Sequence, residues 1–360
     1  MTGTDNTQTM TAVVLHAPND LKVEQVPMPQ VRPAEVLLKM GACGICGSDL
    51  RYMLGENPWA KHTLGHQEPN PPDMVLGHEI AGSVMVGGNT RRVAAMAFRT
   101  CGACVYCRTG RSNLCPNTQH LGHGAGWDGQ NPGGMAEFCP VWENRLFDLP
   151  DCVGLDEATL CDGLGVAVHA ANQISIVPSE PVLVLGGGPI GLSIAQVVAA
   201  RGANPVVITD VYDAPLECGV ELGLGPCLNV ASAADAEVVA ELRRAAGGNG
   251  FIAAFDTTGQ LAVQQQALAV LDRGGMLVAM AGVADRLTLT ESSLAGERRL
   301  TTCSNNFVKD FETGLRLLVS GQVRVKPMIT HTFALQDACA AFTTAINKHE
   351  TNAIKVILEP

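Results

Sequence analysis

Between residues 11 and 40 apolar and polar positions alternate. The runs are Thr11-Ala12-Val13-Val14-Leu15-His16, then Leu21-Lys22-Val23-Glu24-Gln25-Val26, then Glu35-Val36-Leu37-Leu38-Lys39-Met40, with Pro and Asn-Asp between them. A period of two bounded by turn residues predicts short strands of a β-rich unit. Residues 41 to 150 continue with Gly, Pro and short apolar runs, and no long helical period stands out. The texture changes after about residue 155. Pro181 to Leu185 is a compact apolar run, followed by a Gly-rich turn and a helical stretch from Ile190 to Ala200. Val206 to Thr209, Phe251 to Phe255 and Met276 to Met280 are further strand candidates separated by helical segments. Strands alternating with helices predict a parallel α/β sheet. After about residue 305 the pattern is mixed again. The expected organisation is a discontinuous outer domain, 1–160 with 305–360, around an inserted α/β domain over 161–304.

Composition narrows the function. A chain of 360 residues suggests two domains. The net charge of −11 and the lack of any Lys/Arg block argue against a nucleic-acid surface. No stretch of about 18 to 20 apolar residues predicts a membrane span. Met1 to Met10 is polar, has no basic-then-apolar order, and reads as a loose extension and not as a signal peptide, which leaves the cytoplasm as the expected location. The 13 cysteines are an odd number and a poor disulfide framework.

Gly186-Gly187-Gly188-Pro189-Ile190-Gly191 fits G-x-G-x-x-G between a predicted strand and a predicted helix. Gly186, Gly188 and Gly191, with Pro189 and Ile190, are therefore the expected pyrophosphate turn. There the free N–H groups of a helix start face the anion. The next strand ends at Asp210, 19 residues after Gly191. A carboxylate there would accept from both ribose hydroxyls and repel a 2′-phosphate, so NAD is expected in preference to NADP.

Cys101, Cys104, Cys107 and Cys115 give C-x2-C-x2-C-x7-C. Four thiolates this close suit a closed tetrahedral zinc shell, a structural site with no open position. An iron–sulfur cluster and free reduced thiols are the alternatives. Upstream, Cys46 sits in Gly44-Ile45-Cys46-Gly47-Ser48-Asp49 and His78 in Gly77-His78-Glu79. Either alone would pass for a core residue; the pair, ahead of a four-cysteine lobe, points to a second metal.

Taken in order, these motifs resemble the zinc-dependent medium-chain alcohol dehydrogenase family, in its sorbitol, threonine and butanediol dehydrogenase branch. Leu149-Pro150-Asp151, Lys326-Pro327-Met328-Ile329-Thr330-His331 and Ala353-Ile354-Lys355-Val356 carry the likeness onward, so that it runs from Met10 to the C-terminus. The resemblance implies a GroES-like β-rich catalytic domain plus a Rossmann doubly wound domain, with the active site between them. It implies one catalytic and one structural zinc, NAD, a secondary alcohol or polyol as substrate, and a homodimer or homotetramer. Cys46 and His78 would be catalytic zinc ligands, with Asp162 as the third and Cys161 as its competitor. Glu79 would sit behind them or exchange onto the metal. Ser48 would take the substrate's hydroxyl proton, and Asp49 would orient the ligands.

Several positions depart from the family pattern. Arg51 stands where many relatives carry His, and is either a substrate contact or a surface residue. The segment Met53 to Met74, with His62 and His66, is expected to border the substrate cleft, with His66 itself on the loop surface. Thr90-Arg91-Arg92-Val93 replaces a longer phrase and predicts a shortened hairpin. Trp127 and Asp128 are further cleft candidates. Two other readings stay open: an NADPH-linked aldehyde, ketone or imine reductase, and a non-catalytic zinc-stabilised nucleotide-binding protein.

Overall fold

The computed structural model describes residues 8–124, 131–281 and 286–360, apart from the side chain of His62. Trp127 and Asp128 lie outside the described residues. The chain forms two units, Met1–Asp162 with Ile329–Pro360, and Gly163–Met328.

The first unit is built on a seven-stranded sheet. Its main path runs Leu146–Asp148, Asn89–Ala95, Glu79–Val86, Glu35–Ile45, Lys355–Glu359, Ile329–Ala334, and Phe138–Trp142 also pairs with Glu35–Ile45. The strand Thr9–Ala17 pairs with Asp20–Pro27 and with Met74–Val75 in a smaller sheet. Thr9 and Met10 thus belong to a strand, so any loose extension is shorter than the ten residues expected. The hairpin joining Glu79–Val86 to Asn89–Ala95 turns on only Gly87 and Gly88, the shortened form that the sequence suggested. The core between the layers contains Trp142, Tyr52, Phe342, Leu15, Leu38 and Ile80, all nearly inaccessible. Each side chain of this kind contributes about 1.5–3 kcal/mol on burial.

Register explains why residues far apart in the chain meet. Glu35–Ile45 is the central strand, and its last residues are flanked on both sides. Gly44 pairs with Glu79, and Ile45 pairs with Val356. The start of one neighbour (Glu79) and the start of the other (Lys355) therefore stand beside the point where the chain leaves the sheet at Cys46.

The second unit is a six-stranded parallel sheet in the order Cys227–Asn229, Val206–Asp210, Val182–Leu185, Phe251–Asp256, Leu271–Ala279, Arg299–Thr302. In chain order this is 3-2-1-4-5-6, the doubly wound Rossmann arrangement. Val182–Leu185 is buried at every position, as a central parallel strand flanked on both faces requires. The helix Pro189–Ala200 follows, with Pro at its start and Gly191 to Val198 buried. Proline is favoured there because the first N–H has no helical partner. The sequence located the four apolar strands and missed Cys227–Asn229 and Arg299–Thr302, which are short, partly polar edges.

Residues 305–328 pack with this unit, so the return to the first unit falls at Ile329 and not near residue 305. The helix Val308–Val319 explains the difference. Asp310 accepts from His169 Nδ1 at 3.0 Å, and a side chain on Gly314 would strike Leu164. Both contacts tie this helix to Cys161–Ala171, the helix that opens the α/β unit.

Candidate active site and metal centres

Cys46 is the residue before a short helix, Gly47–Met53. Its N–H donates to Asp49 Oδ2 at 2.8 Å, which fixes the turn. The other carboxylate oxygen, Oδ1, accepts from Gly77 N at 3.3 Å and lies 3.7 Å from His78 Nδ1. Asp49 is fully buried. One carboxylate thus pins the Cys46 loop to the Gly77-His78 loop. The ligand atoms of Cys46, His78 and Glu79 all lie within 4.8 Å of one another.

Lys355 is the partner that the sequence did not reveal. It is buried, ion-paired to Glu79, and donates to the Ile45 carbonyl at 2.9 Å. Burial opposes its charge, but Glu79 and Cys46 outweigh burial and raise its pKa. Gly44 makes room for the pair, because a Cβ there would collide with the Glu79 carboxylate and crowd the Lys355 stem. The signal available in the sequence was a lysine opening an apolar terminal strand, which by itself says nothing about an acid 276 residues earlier.

Asp162 stands at the start of the helix Cys161–Ala171, outside the tight three-residue group. Burial pushes its carboxyl up to about 6, with His78 pulling it down and Glu79 pushing it up. Cys161 is fully buried, and burial pushes its thiol up to about 12. Burial is the largest influence on His78 and lowers its pKa, yet Asp49 and Cys46 prevail and raise it. Three carboxylates, Asp49, Glu79 and Asp162, thus act on this point against the buried ammonium of Lys355. His78 Nδ1 and Ser48 Oγ are buried without a hydrogen-bond partner. A thiol, an imidazole and carboxylates around a buried, electron-rich point are a donor set suited to zinc. The residues fit a cation.

Two histidines absent from the expected site pack here as well. His120 and His123 stack at 3.8 Å between centroids, and His123 lies edge-on to His78 at 4.5 Å. Burial is the main cause that holds His120 down to about 3. Arg51 lies on the helix Gly47–Met53, 4.0 Å from Glu56, and His66 is exposed beside Glu68.

The four-cysteine lobe is self-contained. All four sulfurs lie within 4.8 Å of one another, and none is in a disulfide. Individual separations are 3.5 Å for Cys115–Cys101, 3.8 Å for Cys104–Cys115 and 4.0 Å for Cys101–Cys107. Sulfurs at about 2.3 Å from one tetrahedral centre would stand about 3.8 Å apart. Backbone N–H groups of Ala103 and Cys104 lower the Cys101 thiol to about 6, while burial raises Cys115 to about 12.

In the α/β unit the glycine turn follows Val182–Leu185. Gly191 must be Gly, since a Cβ would overlap the carbonyl oxygen of Gly186; at Gly188 nothing lies within 4 Å of a Cβ, which leaves an open approach. Asp210 ends its strand half-buried. Its Oδ2 accepts from Gly187 N at 2.7 Å, and Oδ1 accepts from Val211 N at 2.7 Å and Tyr212 N at 3.0 Å. Three of about four lone-pair sites are thus filled from the backbone, which fixes the carboxylate's orientation and leaves capacity for one more donor.

A GroES-like β unit carrying two candidate metal clusters, together with a Rossmann unit, defines a dehydrogenase class. The sequence matches the alcohol dehydrogenase GroES-like domain over residues 32–151 and the zinc-binding dehydrogenase domain over residues 189–320. It is 31% identical to sorbitol dehydrogenase from Bos taurus, covering 93% of this chain and 92% of that protein. It is 32% identical to L-threonine 3-dehydrogenase from Klebsiella pneumoniae subsp. pneumoniae, covering 90% and 92%. Among solved structures, 2R,3R-butanediol dehydrogenase from Bacillus subtilis superposes with a TM-score of 0.81 at 25% identity, covering 98% and 99%. The chain belongs to the zinc-binding medium-chain alcohol dehydrogenase family and is an oxidoreductase of the alcohol and polyol dehydrogenase type. No helix among the described residues is long and apolar enough to cross a membrane.

Proposed function

We propose that this chain is a zinc-dependent, NAD-linked dehydrogenase that oxidises a secondary alcohol or polyol, or runs the reverse reduction. The observation that carries the reading is the convergence of half-buried Cys46 with buried His78 and Glu79, their ligand atoms all within 4.8 Å of one another. Cys46 and His78 would hold zinc, with Asp162 completing the set and Glu79 kept back by Lys355. The metal, when bound, supplies Lewis-acid polarisation of the substrate oxygen. NAD, when bound at Gly186 to Gly191, supplies the hydride acceptor.

The protein's own groups do the rest. Asp49 holds the Cys46 turn and orients the His78 ring through one buried carboxylate, a support of the kind that tunes ligand basicity. Ser48 Oγ, buried and unpartnered, is the group available to accept the substrate hydroxyl's proton in a hydrogen bond. Lys355 neutralises Glu79, so that the pocket's negative charge is concentrated on the other donors. Four cysteines, Cys101, Cys104, Cys107 and Cys115, would hold a second, structural zinc and do no chemistry. Asp210 favours NAD: its carboxylate keeps room for a ribose hydroxyl and would repel a 2′-phosphate.

Cys46→Ser is expected to abolish oxidation of a panel of secondary alcohols and polyols with NAD, while NADH binding, read by fluorescence, persists. Full turnover in that variant refutes the metal role. In parallel, Asp210→Ser is expected to lower the preference for NADH over NADPH by about tenfold, the worth of one charge-assisted hydrogen bond. An unchanged ratio refutes the role given to Asp210.

A further inference from the structure

A cavity of about 740 Å³ opens in the first unit beside the cysteine lobe: Cys101 is among the residues that line it, whereas Cys46, His78 and Glu79 are not. Its size is that of a small-molecule site. Two guanidinium groups, those of Arg99 and Arg145, line it, together with Trp59, Trp142 and Gln119. Arg99 is held in place: its Nε donates to Gln119 Oε1 at 2.6 Å, and its guanidinium carbon lies 5.4 Å from the centroid of the Trp142 ring. Arg145 ends the short turn Glu143–Arg145. Its Nε is buried and has no hydrogen-bond partner, and neither has the buried Nε1 of Trp59.

Burial and the neighbouring charge of Arg99 both work against the protonated form of Arg145, and no carboxylate among the described residues offsets them. A half-buried cation facing a like charge, with N–H donors left over, is an expensive arrangement unless an anion completes it. The guanidinium fork is matched in plane and spacing to the paired oxygens of a phosphate or a carboxylate. The indole N–H of Trp59 adds a donor that bears no positive charge. Thr118 and Asn144 supply further polar groups around the same space.

We propose that this cavity binds a small molecule carrying a phosphate or carboxylate group, clamped between Arg99 and Arg145. The site stands apart from the dehydrogenase reading, since its occupancy is measured without turnover.

The test is calorimetric titration of the metal-loaded protein with inorganic phosphate and, separately, with citrate. Saturating NADH is present so that the glycine turn does not report. Saturable binding near one anion per chain is expected for at least one probe. Phosphate alone marks a phosphoryl ligand, and citrate alone a carboxylate ligand. Arg145→Gln and Arg99→Gln should each weaken that binding by about tenfold or more, and Arg145→Lys by less. Zinc content should be unchanged in all three. In anion-free buffer Arg145→Gln should melt no lower than the parent protein, because a cation without a partner has been removed. Absence of saturable binding, or binding that survives both Gln variants, overturns the proposal. So does loss of zinc on substitution, which would mean that the arginines serve the cysteine lobe.

Discussion

The two candidate metal centres of this protein are made in opposite ways. Cys101, Cys104, Cys107 and Cys115 come from one stretch of 15 residues, offer one kind of donor, and are held by their own backbone N–H groups. Cys46, His78 and Glu79 arrive from the ends of neighbouring strands, are fixed by Asp49, and share a buried pocket with Lys355 and Asp162. The first is a local knot that needs only spacing. The second is a product of sheet register, and its chemistry depends on charges that meet only after the fold has formed. A local site should fail locally, through stability; a register-built site should fail through function and through buried charge.

The largest expected effect is on the lobe. Cys104→Ser removes one of four sulfurs from the proposed structural zinc site, where metal binding would be coupled to folding. It should drop the melting temperature by well over about 10 °C and abolish cooperative unfolding of the lobe, read by calorimetry and by proteolysis around residues 101–115. Unchanged melting would break the contrast. Next comes Lys355→Met, which leaves Glu79 buried without its cation. Removing one partner of a buried pair costs about 3–5 kcal/mol, so a loss of that size is expected in urea titration. Adding Glu79→Gln should recover much of it, since the uncompensated charge is then gone. A loss below about 1 kcal/mol would mean that the pair is not buried in solution.

Asp49→Asn should be milder for folding and harsher for function. The amide keeps the shape but loses the charge behind His78, and partners of this kind are worth about 10- to 100-fold in metal affinity or activity. Equal losses in stability and metal affinity would place Asp49 with the structural residues instead. The smallest effect is an exposed counterpart on the same unit. His16 lies between Asp73, at 2.5 Å, and Glu24, at 3.2 Å, and the hydrogen bond to Asp73 leads the causes that raise its pKa above 6.5. Its stabilisation is present below the unfolded pKa and is lost as pH rises through the higher folded one. Exposure and salt screening keep it under about 1 kcal/mol. An NMR titration should show His16 titrating above a free histidine, and a value below 6.5 would contradict the pairing.

What could be read from the sequence follows the same division. Spacing alone exposed the cysteine lobe and the glycine turn, because both are made of neighbours in the chain. The apolar strands Val182–Leu185, Val206–Asp210 and Phe251–Asp256 were legible, because a strand buried on both faces writes itself as an apolar run. The polar edge strands carried no such run. The pairing of the Cys46 and His78 motifs hinted at a second metal, but the third ligand and the roles of Ser48 and Asp49 came only through likeness to a family. Lys355 was noticed only as part of a family-like phrase, and His120 and His123 were not singled out, since their meeting with Glu79 and His78 is made by the fold and not by any local pattern. The Arg99–Arg145 pair, 46 positions apart, was hidden for the same reason.

Metal stoichiometry tests the central claim most directly. Elemental analysis of the purified protein should give two zinc ions per chain, and Cys46→Ser should retain one, in the cysteine lobe, with its fold intact. A parent protein holding a single zinc, or a Cys46→Ser variant that keeps both, would contradict the assignment of a metal to Cys46 and His78.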